Sequence, residues 1–330
     1  LKGRANYLCR YRMEQAKGEP RFQSREQVSQ FQRIVAWSGR TRSGDLAEMD
    51  SLPEDSPLLP LVTSTTDNCL GTDCPFWSDC FVVQARQRAQ AADVVVVNHH
   101  LLLADLALKQ EGFGEILPGA QAFVIDEAHQ LPELAAQFFG EGIGARPLVE
   151  LARDAIGECK DVAGALAAVQ PPAQALEAAT RALRAAMDNL PVRGTAWRAL
   201  DEVDVEPALT TLLDALEHLQ AALEPLRQAA PGLDACHVRA HEHALRLRRW
   251  LGERENDPGP LSPLSVHWYE LTPRGFRLQR TPLDVSAPLR AHREQSNAAW
   301  VFTSATLAVG GKFHHMAQRL GIEQAQELIE

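Results

Sequence analysis

Ala122-Phe123-Val124-Ile125-Asp126-Glu127-Ala128-His129 is the stretch on which the fold of this chain turns. Four apolar residues in a row read as a strand buried on both faces, and an acidic pair ends it abruptly. In open α/β sheets, ligands bind beyond the carboxyl ends of the strands. A hydrophobic strand running into Asp-Glu is the Walker B arrangement. Asp126 is then the candidate holder of a hydrated Mg²⁺ that bridges nucleotide phosphates. Glu127 is the candidate to orient and deprotonate an attacking water. His129 is placed to sense the nucleotide state and pass it on. Taken alone, the acidic pair also reads as a solvated turn capping the next helix.

Working outward, Ala92-Asp93-Val94-Val95-Val96-Val97-Asn98 reads as a second strand buried on both faces, and His99–Leu108 as a helix. A third buried strand, Ala298-Ala299-Trp300-Val301-Phe302, leads into Thr303-Ser304-Ala305-Thr306-Leu307. Hydroxyls at a strand end can hydrogen-bond the acidic box, so Ser304, Ala305 and Thr306 are candidates for coupling it to a bound strand. Alone, they read equally as a helix N-cap. Between these strands, residues 133–255 are dominated by Ala and Leu at helical spacing, as in Ala173–Leu190 and Leu209–Leu226. Pro171-Pro172, Pro191 and Pro231 punctuate the helices. Strand-like patterning returns at Val266–Leu271 and Phe276–Gln279. No internal repeat has a fixed period.

Six cysteines are unevenly placed. Cys9 stands alone, Cys69, Cys74 and Cys80 follow as a group, and Cys159 and Cys236 fall in the helical stretch as core residues. A chain this long needs no disulfides for stability, so the clustering points to metal. Four thiolates suit tetrahedral zinc or an iron–sulfur cluster. Zinc ribbons usually pair cysteines two residues apart, a spacing absent here, and wider spacing leaves room for a larger inorganic core. Pro75, Phe76, Trp77 and Phe81 are candidates to shield it. Unligated buried cysteines are the plainer alternative. Cys236-His237 with His241 and His243 reads as a charged helix face rather than a metal site.

Formal net charge is −10, which at first disfavours a nucleic-acid binder. Residues 1–42, however, carry ten Lys/Arg (Lys2, Arg4, Arg10, Arg12, Lys17, Arg21, Arg25, Arg33, Arg40 and Arg42) against Glu14, Glu19 and Glu26. A basic segment on an acidic chain fits a local phosphate-binding surface, and equally a solvated basic face. With 330 residues the chain exceeds one ordinary core and implies about two or three structural units. Apolar content of 45% and charged content of 23% are those of a soluble globular chain. No run of about 18 apolar residues is present, so no membrane span is expected. Leu1-Lys2-Gly3-Arg4 has no signal core and no starting Met, so the chain is expected to be a piece of a longer protein.

The order of these elements resembles that of the iron–sulfur superfamily 2 DNA helicases of the XPD/DinG group. It runs from Leu1-Lys2-Gly3-Arg4-Ala5-Asn6-Tyr7-Leu8-Cys9 through Cys69/Cys74/Cys80, Val94–Asn98-His99, the Asp126–His129 DEAH box and a helical insert to Thr303–Leu307. The resemblance spans nearly the whole chain and is closest to the bacterial YoaA/DinG branch. It implies an α/β fold: a partial RecA-like P-loop motor domain with an iron–sulfur insertion and a mainly helical arch insertion. The implied units are a cluster domain at 1–92, motor domain 1 at 93–132, the arch at 133–265 and the motor's return at 266–330. A [4Fe–4S] cluster is implied on Cys9, Cys69, Cys74 and Cys80. ATP-driven 5′-to-3′ movement on single-stranded DNA is implied, with Mg²⁺, in DNA repair or replication. Forked DNA and replication or repair proteins are the implied partners, in a cytoplasmic, nucleoid-associated setting. Lys2, Arg4 and Arg10 would lie near the DNA. Tyr7 is a candidate to stack on bases, or equally a core residue.

The chain departs from the family in one respect. It has no G-x-x-x-x-G-K-[ST] loop. Gly310-Gly311-Lys312-Phe313 comes nearest and lacks the first glycine spacing and the hydroxyl. The family's phosphate loop is expected before Leu1, and its second motor domain after Glu330. Negligible ATP hydrolysis is therefore expected of these residues alone. The alternative reading is a non-catalytic iron–sulfur or zinc module that binds DNA or acts as a scaffold. A nuclease reading would need a further domain outside the chain.

Overall fold

The computed structural model describes all residues except 18–21, 23, 51, 54, 111–115, 161, 253–264, 309, 311, 329 and 330. Glu19 and Arg21 of the basic segment, and Gly311 of the glycine pair, therefore lie outside the described residues. The first elements are α1 (Arg10–Lys17), α2 (Arg25–Ser38), α3 (Leu59–Val62), α4 (Phe81–Gln90), α5 (His99–Gln110), β1 (Ala122–Ile125), α6 (Leu131–Phe138) and β2 (Glu141–Gly144). Then follow α7 (Ala145–Glu158), α8 (Ala165–Ala186), β3 (Arg193–Thr195), α9 (Ala196–Leu200), α10 (Val205–Leu223) and α11 (Pro231–Leu251). The chain continues with β4 (Ser265–Thr272), β5 (Gly275–Pro282), α12 (Ser286–Gln295), β6 (Ala299–Phe302) and α13 (His314–Arg319). It is a mixed α/β protein with one parallel and one antiparallel sheet.

Two compact units form. The first comprises Leu1–Val97, Val149–Ala179 and Asp214–His243. Its α2 begins at Ser24, whose side chain accepts the Gln27 N–H, and buries Phe31 and Ile34 on one face. These pack with Tyr7, Leu8, Met13, Leu46, Leu58, Val62 and Phe81. In the helices of the same unit, Leu151, Ala152 and Ala155 follow the helical repeat, as do Leu216, Leu219 and Leu223, all buried. Tyr7 is thus a core residue, and the stacking role considered for it falls away.

The second unit comprises Asn98–Leu148, Thr180–Leu213 and Ala244–Glu330. In it β1 and β6 pair in parallel, with Ile125 opposite Phe302. Trp300 and Phe302 turn inward onto Leu102, Leu106, Leu131, Leu289 and Leu320. The other face is open, with Val124 70% and Val301 48% exposed. The expectation of strands buried on both faces is therefore corrected: this pair is covered on one face only. The period-two alternation of a strand sends Val124 and Val301 to the face that lacks a covering layer among the described residues.

The valine run is corrected further. Residues 92–98 form no strand, and Val94 and Val96 are 80% and 79% exposed. A strand exists only as part of a ladder, and among the described residues none pairs with this segment. The four-stranded antiparallel sheet runs β2-β5-β4-β3. Its β4–β5 hairpin buries Tyr269, Leu271, Phe276 and Leu278 on one face. The hairpin pairs with strands that flank the helices, not with β1 or β6.

Two smaller expectations are also corrected. Pro171 and Pro172 do not end a helix but lie inside α8, at the cost of two backbone hydrogen bonds that a long helix can sustain. On α11, Cys236, His237 and His243 are buried, and only His241 of the four faces solvent. Burial lowers the proton affinity of His237. Cys159 and Cys236 are buried, as expected.

Candidate functional site

The acidic box sits where β1 ends. Glu127 adopts a left-handed backbone, φ 49° and ψ 42°, which a residue with a side chain enters only under constraint. Hydrogen bonds at the turn supply that constraint. Thr303 N–H donates to Ile125 O at 2.9 Å, and Ala128 N–H donates to Thr303 O at 3.0 Å. The parallel ladder thus continues past the strand ends and locks the turn. The turn presents both carboxylates to solvent at the carboxyl end of the pair.

Side chains complete the link. Thr303 Oγ1 donates to Asp126 Oδ1 at 2.9 Å, and Ser304 Oγ donates to Glu127 Oε2 at 3.1 Å. His129 Nδ1 lies 2.8 Å from Ser304 Oγ and 3.2 Å from Glu127 Oε2. The carboxylate only accepts, and the Ser304 proton is given to it. His129 Nδ1 therefore carries the proton in this arrangement. Thr306 N–H donates to Ser304 Oγ at 3.1 Å, closing the turn that holds the serine. Ala305 offers no side-chain group to this network.

Sequence reasoning brought these elements together but missed two members. Thr303, not only Ser304, grips the box. His99, the first residue of α5, places Nε2 2.8 Å from the Asp126 carbonyl. A hydroxyl immediately after a strand was the available signal for Thr303. Nothing local in the sequence pointed from His99 to Asp126.

The cysteine quartet lies in the first unit. Cys9 precedes α1 and Cys80 precedes α4, so each sits at a helix N-terminus. Cys69 and Cys74 flank a single 3₁₀ turn, Gly71–Asp73. Burial raises the Cys9 thiol; the Arg12 N–H opposes this, and the neighbouring Cys69 and Cys74 add to it. Burial likewise raises Cys74; the Phe76 N–H opposes it, and Cys69 and Cys80 add to it. The four thiols therefore share one neighbourhood, about half-buried, in which burial and the neighbouring cysteines hold the Cys9 and Cys74 thiols above their usual range. That donor set fits a multinuclear cationic core, whose charge relieves this repulsion. Among the described residues no group of three or more His, Cys, Asp or Glu is arranged to hold a metal ion. Of the expected shielding residues, Phe81 is buried and Phe76 half-buried, while Pro75 and Trp77 face solvent.

The three basic candidates all have partners within the chain. Arg4 Nη1 donates to Cys69 Sγ at 2.9 Å. Lys2 pairs with Asp45 at 2.6 Å. Arg10 donates to Asp79 O at 3.3 Å and lies over the Phe81 ring, 4.7 Å from its centroid. Arg12, counted in the basic segment, is buried and does not contribute to a surface patch.

No helix among the described residues is long and apolar enough to cross a membrane. No protein-family model matches the chain. Over its full length, however, it is 41% identical to the ATP-dependent DNA helicase YoaA of Escherichia coli (strain K12) and 38% identical to that of Haemophilus influenzae. It spans about half the length of these curated relatives, 51% and 50%. Over 40% of the chain it is 35% identical to the ATP-dependent helicase DinG of Mycobacterium tuberculosis, 21% of whose length is matched. With the acidic box joined to the Thr303–Thr306 turn and four cysteines in one neighbourhood, the chain is DinG/YoaA-like along its whole length.

Proposed function

We propose that this chain is the middle portion of an ATP-dependent DNA helicase that moves 5′-to-3′ on single-stranded DNA in repair or replication. The observation that carries the reading is the network of Thr303, Ser304 and His129 on Asp126 and Glu127. Asp126 is placed to hold Mg²⁺ on a nucleotide, and Glu127 to take a proton from the attacking water. Ser304 holds one Glu127 oxygen and His129 Nδ1 together, so a change at the phosphates would displace the Thr303–Thr306 turn. The β1–β6 pair is read as part of a RecA-like motor domain. Its open face suits cover from the remaining length that YoaA relatives possess.

Residues 1–92 are read as the cluster domain and 93–132 as motor domain 1. The helices of 133–265 are read as the arch; the pairing of the 265–282 hairpin with β2 and β3 favours adding it to the arch, with the motor returning after it. Cys9, Cys69, Cys74 and Cys80 would hold a [4Fe–4S] cluster, which supplies a rigid anionic node when bound. Arg4 would then hydrogen-bond a ligand sulfur, and Lys2 and Arg10 would stand at its margin toward DNA.

Two measurements test the reading. Purified without oxygen, the whole protein is expected to be brown, with about four iron and four sulfide per chain. A colourless protein with stoichiometric zinc would sink the cluster and favour the zinc-module alternative. Ser304→Ala is expected to leave ATP hydrolysis within a few-fold of the parent while unwinding falls at least about tenfold, since it removes about one hydrogen bond of coupling. Equal loss of both activities would show that Ser304 serves catalysis rather than coupling.

A further inference from the structure

The outer face of α2, in the first unit, is a row of cations. Phe31, Ile34 and Ser38 mark the buried face of this helix. The helical repeat puts Arg25, Ser29, Gln32, Arg33 and Ala36 on the opposite side, and all five are exposed. Arg40 and Arg42 follow just past the helix end and are exposed too. None of these four arginines has a side-chain partner among the described residues. Lys2, Arg4 and Arg10, by contrast, are engaged within the chain.

A merely solvated helix commonly balances its arginines with carboxylates three or four residues away. Within α2, the residues at those spacings from Arg25 and Arg33 are Val28, Ser29, Gln30, Ala36 and Trp37. Glu26 is the one carboxylate of the helix, and it has Ser29 and Gln30 at the same spacings. In the segment that follows, Asp45 pairs with Lys2 at 2.6 Å, and Glu48 accepts from the Thr41 and Ser43 hydroxyls. On a chain of net charge −10, four arginines against Glu26 are a local reversal of sign.

Such a row matches a polyanion. A duplex carries one charge per about 1.7 Å of its axis, and Arg25 and Arg33 stand about 12 Å apart along α2, so the row spans several phosphates. Guanidinium forks fit phosphate oxygens, and Ser29 and Gln32 add donors between them. The exposed face of α2 has no aromatic ring on which an unpaired base could stack. That favours a duplex, whose bases are turned inward, over a single strand. We propose that the outer face of α2, with Arg25, Arg33, Arg40 and Arg42, docks the phosphate backbone of duplex DNA without regard to sequence. The proposal deepens the helicase reading above and rests on it.

The test is binding of the whole protein to a forked DNA and to the corresponding single strand, over a series of salt concentrations. Combined Arg25→Gln, Arg33→Gln and Arg40→Gln keeps good helix formers on the exposed face. It is expected to weaken fork binding and to flatten its log–log salt dependence by up to about one per arginine. Single-strand binding should match the parent. Glu26→Gln removes the opposing charge and is expected to tighten fork binding. Opposite shifts support the docking face, because a loosened helix would weaken binding in both variants. An unchanged fork slope overturns the proposal. Equal loss on the fork and on the single strand overturns it as well. If the combined variant fails to fold, Arg33→Gln beside Glu26→Gln decides. A parent that binds neither DNA refutes the helicase reading and the docking face with it, whereas a parent that binds both, with unshifted variants, refutes the docking face only.

Discussion

Glu127→Gln in the whole protein is expected to reduce ATP hydrolysis by roughly 10²- to 10⁴-fold, the range typical of a lost general base. That corresponds to about 3–5 kcal/mol of transition-state stabilisation. Nucleotide binding should persist, because Asp126 keeps its place. Gln preserves the size of the side chain, and its amide oxygen can still accept the Ser304 hydroxyl. The Ala128 N–H bond to Thr303 O, which locks the turn, involves no Glu127 side-chain atom. The loss would thus report proton acceptance rather than collapse of the site. Steady-state phosphate release, with nucleotide binding as the control, measures it. Hydrolysis within a few-fold of the parent would remove Glu127 from the catalytic role. The 330-residue chain alone should hydrolyse negligible ATP whether or not Glu127 is present, since it contains no phosphate-loop sequence.

Gly44→Ala is expected to be the most damaging small substitution in the cysteine-bearing unit. Gly44 has φ +66°, a conformation that costs about 1–2 kcal/mol for alanine. An added Cβ would also stand 2.2 Å from the Phe81 ring, where no side chain can fit without displacement. Overpacking of that kind typically costs about 1–3 kcal/mol more. Both consequences fall on the quartet. Gly44 O accepts the Leu8 N–H at 2.9 Å, next to Cys9, and Phe81 follows Cys80. Hydrogen exchange at Leu8 should accelerate at least about 30-fold, with loss of bound iron. Gly164→Ala is the control: Gly164 has φ +78°, but its added Cβ meets nothing within 4 Å. It should carry the backbone cost alone and leave iron content unchanged. Equal effects from the two substitutions would show that the Phe81 contact is unimportant.

What the sequence determined by itself was local. The end of an apolar run at Asp126-Glu127 placed a strand and its turn, because the change from buried to charged is written in adjacent residues. The helices around Ala173–Leu190 and Leu209–Leu226, and the hairpin near 265–282, were legible from periodicity for the same reason. The clustering of Cys69, Cys74 and Cys80 pointed to a shared site, although nothing in the spacing showed how Cys9 would join them. Only the tertiary structure decided which distant residues meet. Thr303 reaches Asp126 across 177 positions, and Asp154 joins Arg12 across 142. It also decided that β1 and β6 are covered on one face and that residues 92–98 lie exposed. The valine run shows why: hydrophobicity records that a segment needs cover, whereas strand pairing depends on a neighbour elsewhere in the chain or beyond it. The stretch Ala122–His129 therefore showed a strand ending in an acidic turn, while the backbone bonds that lock that turn to Thr303 and the hydroxyl pair that grips its carboxylates come only with folding.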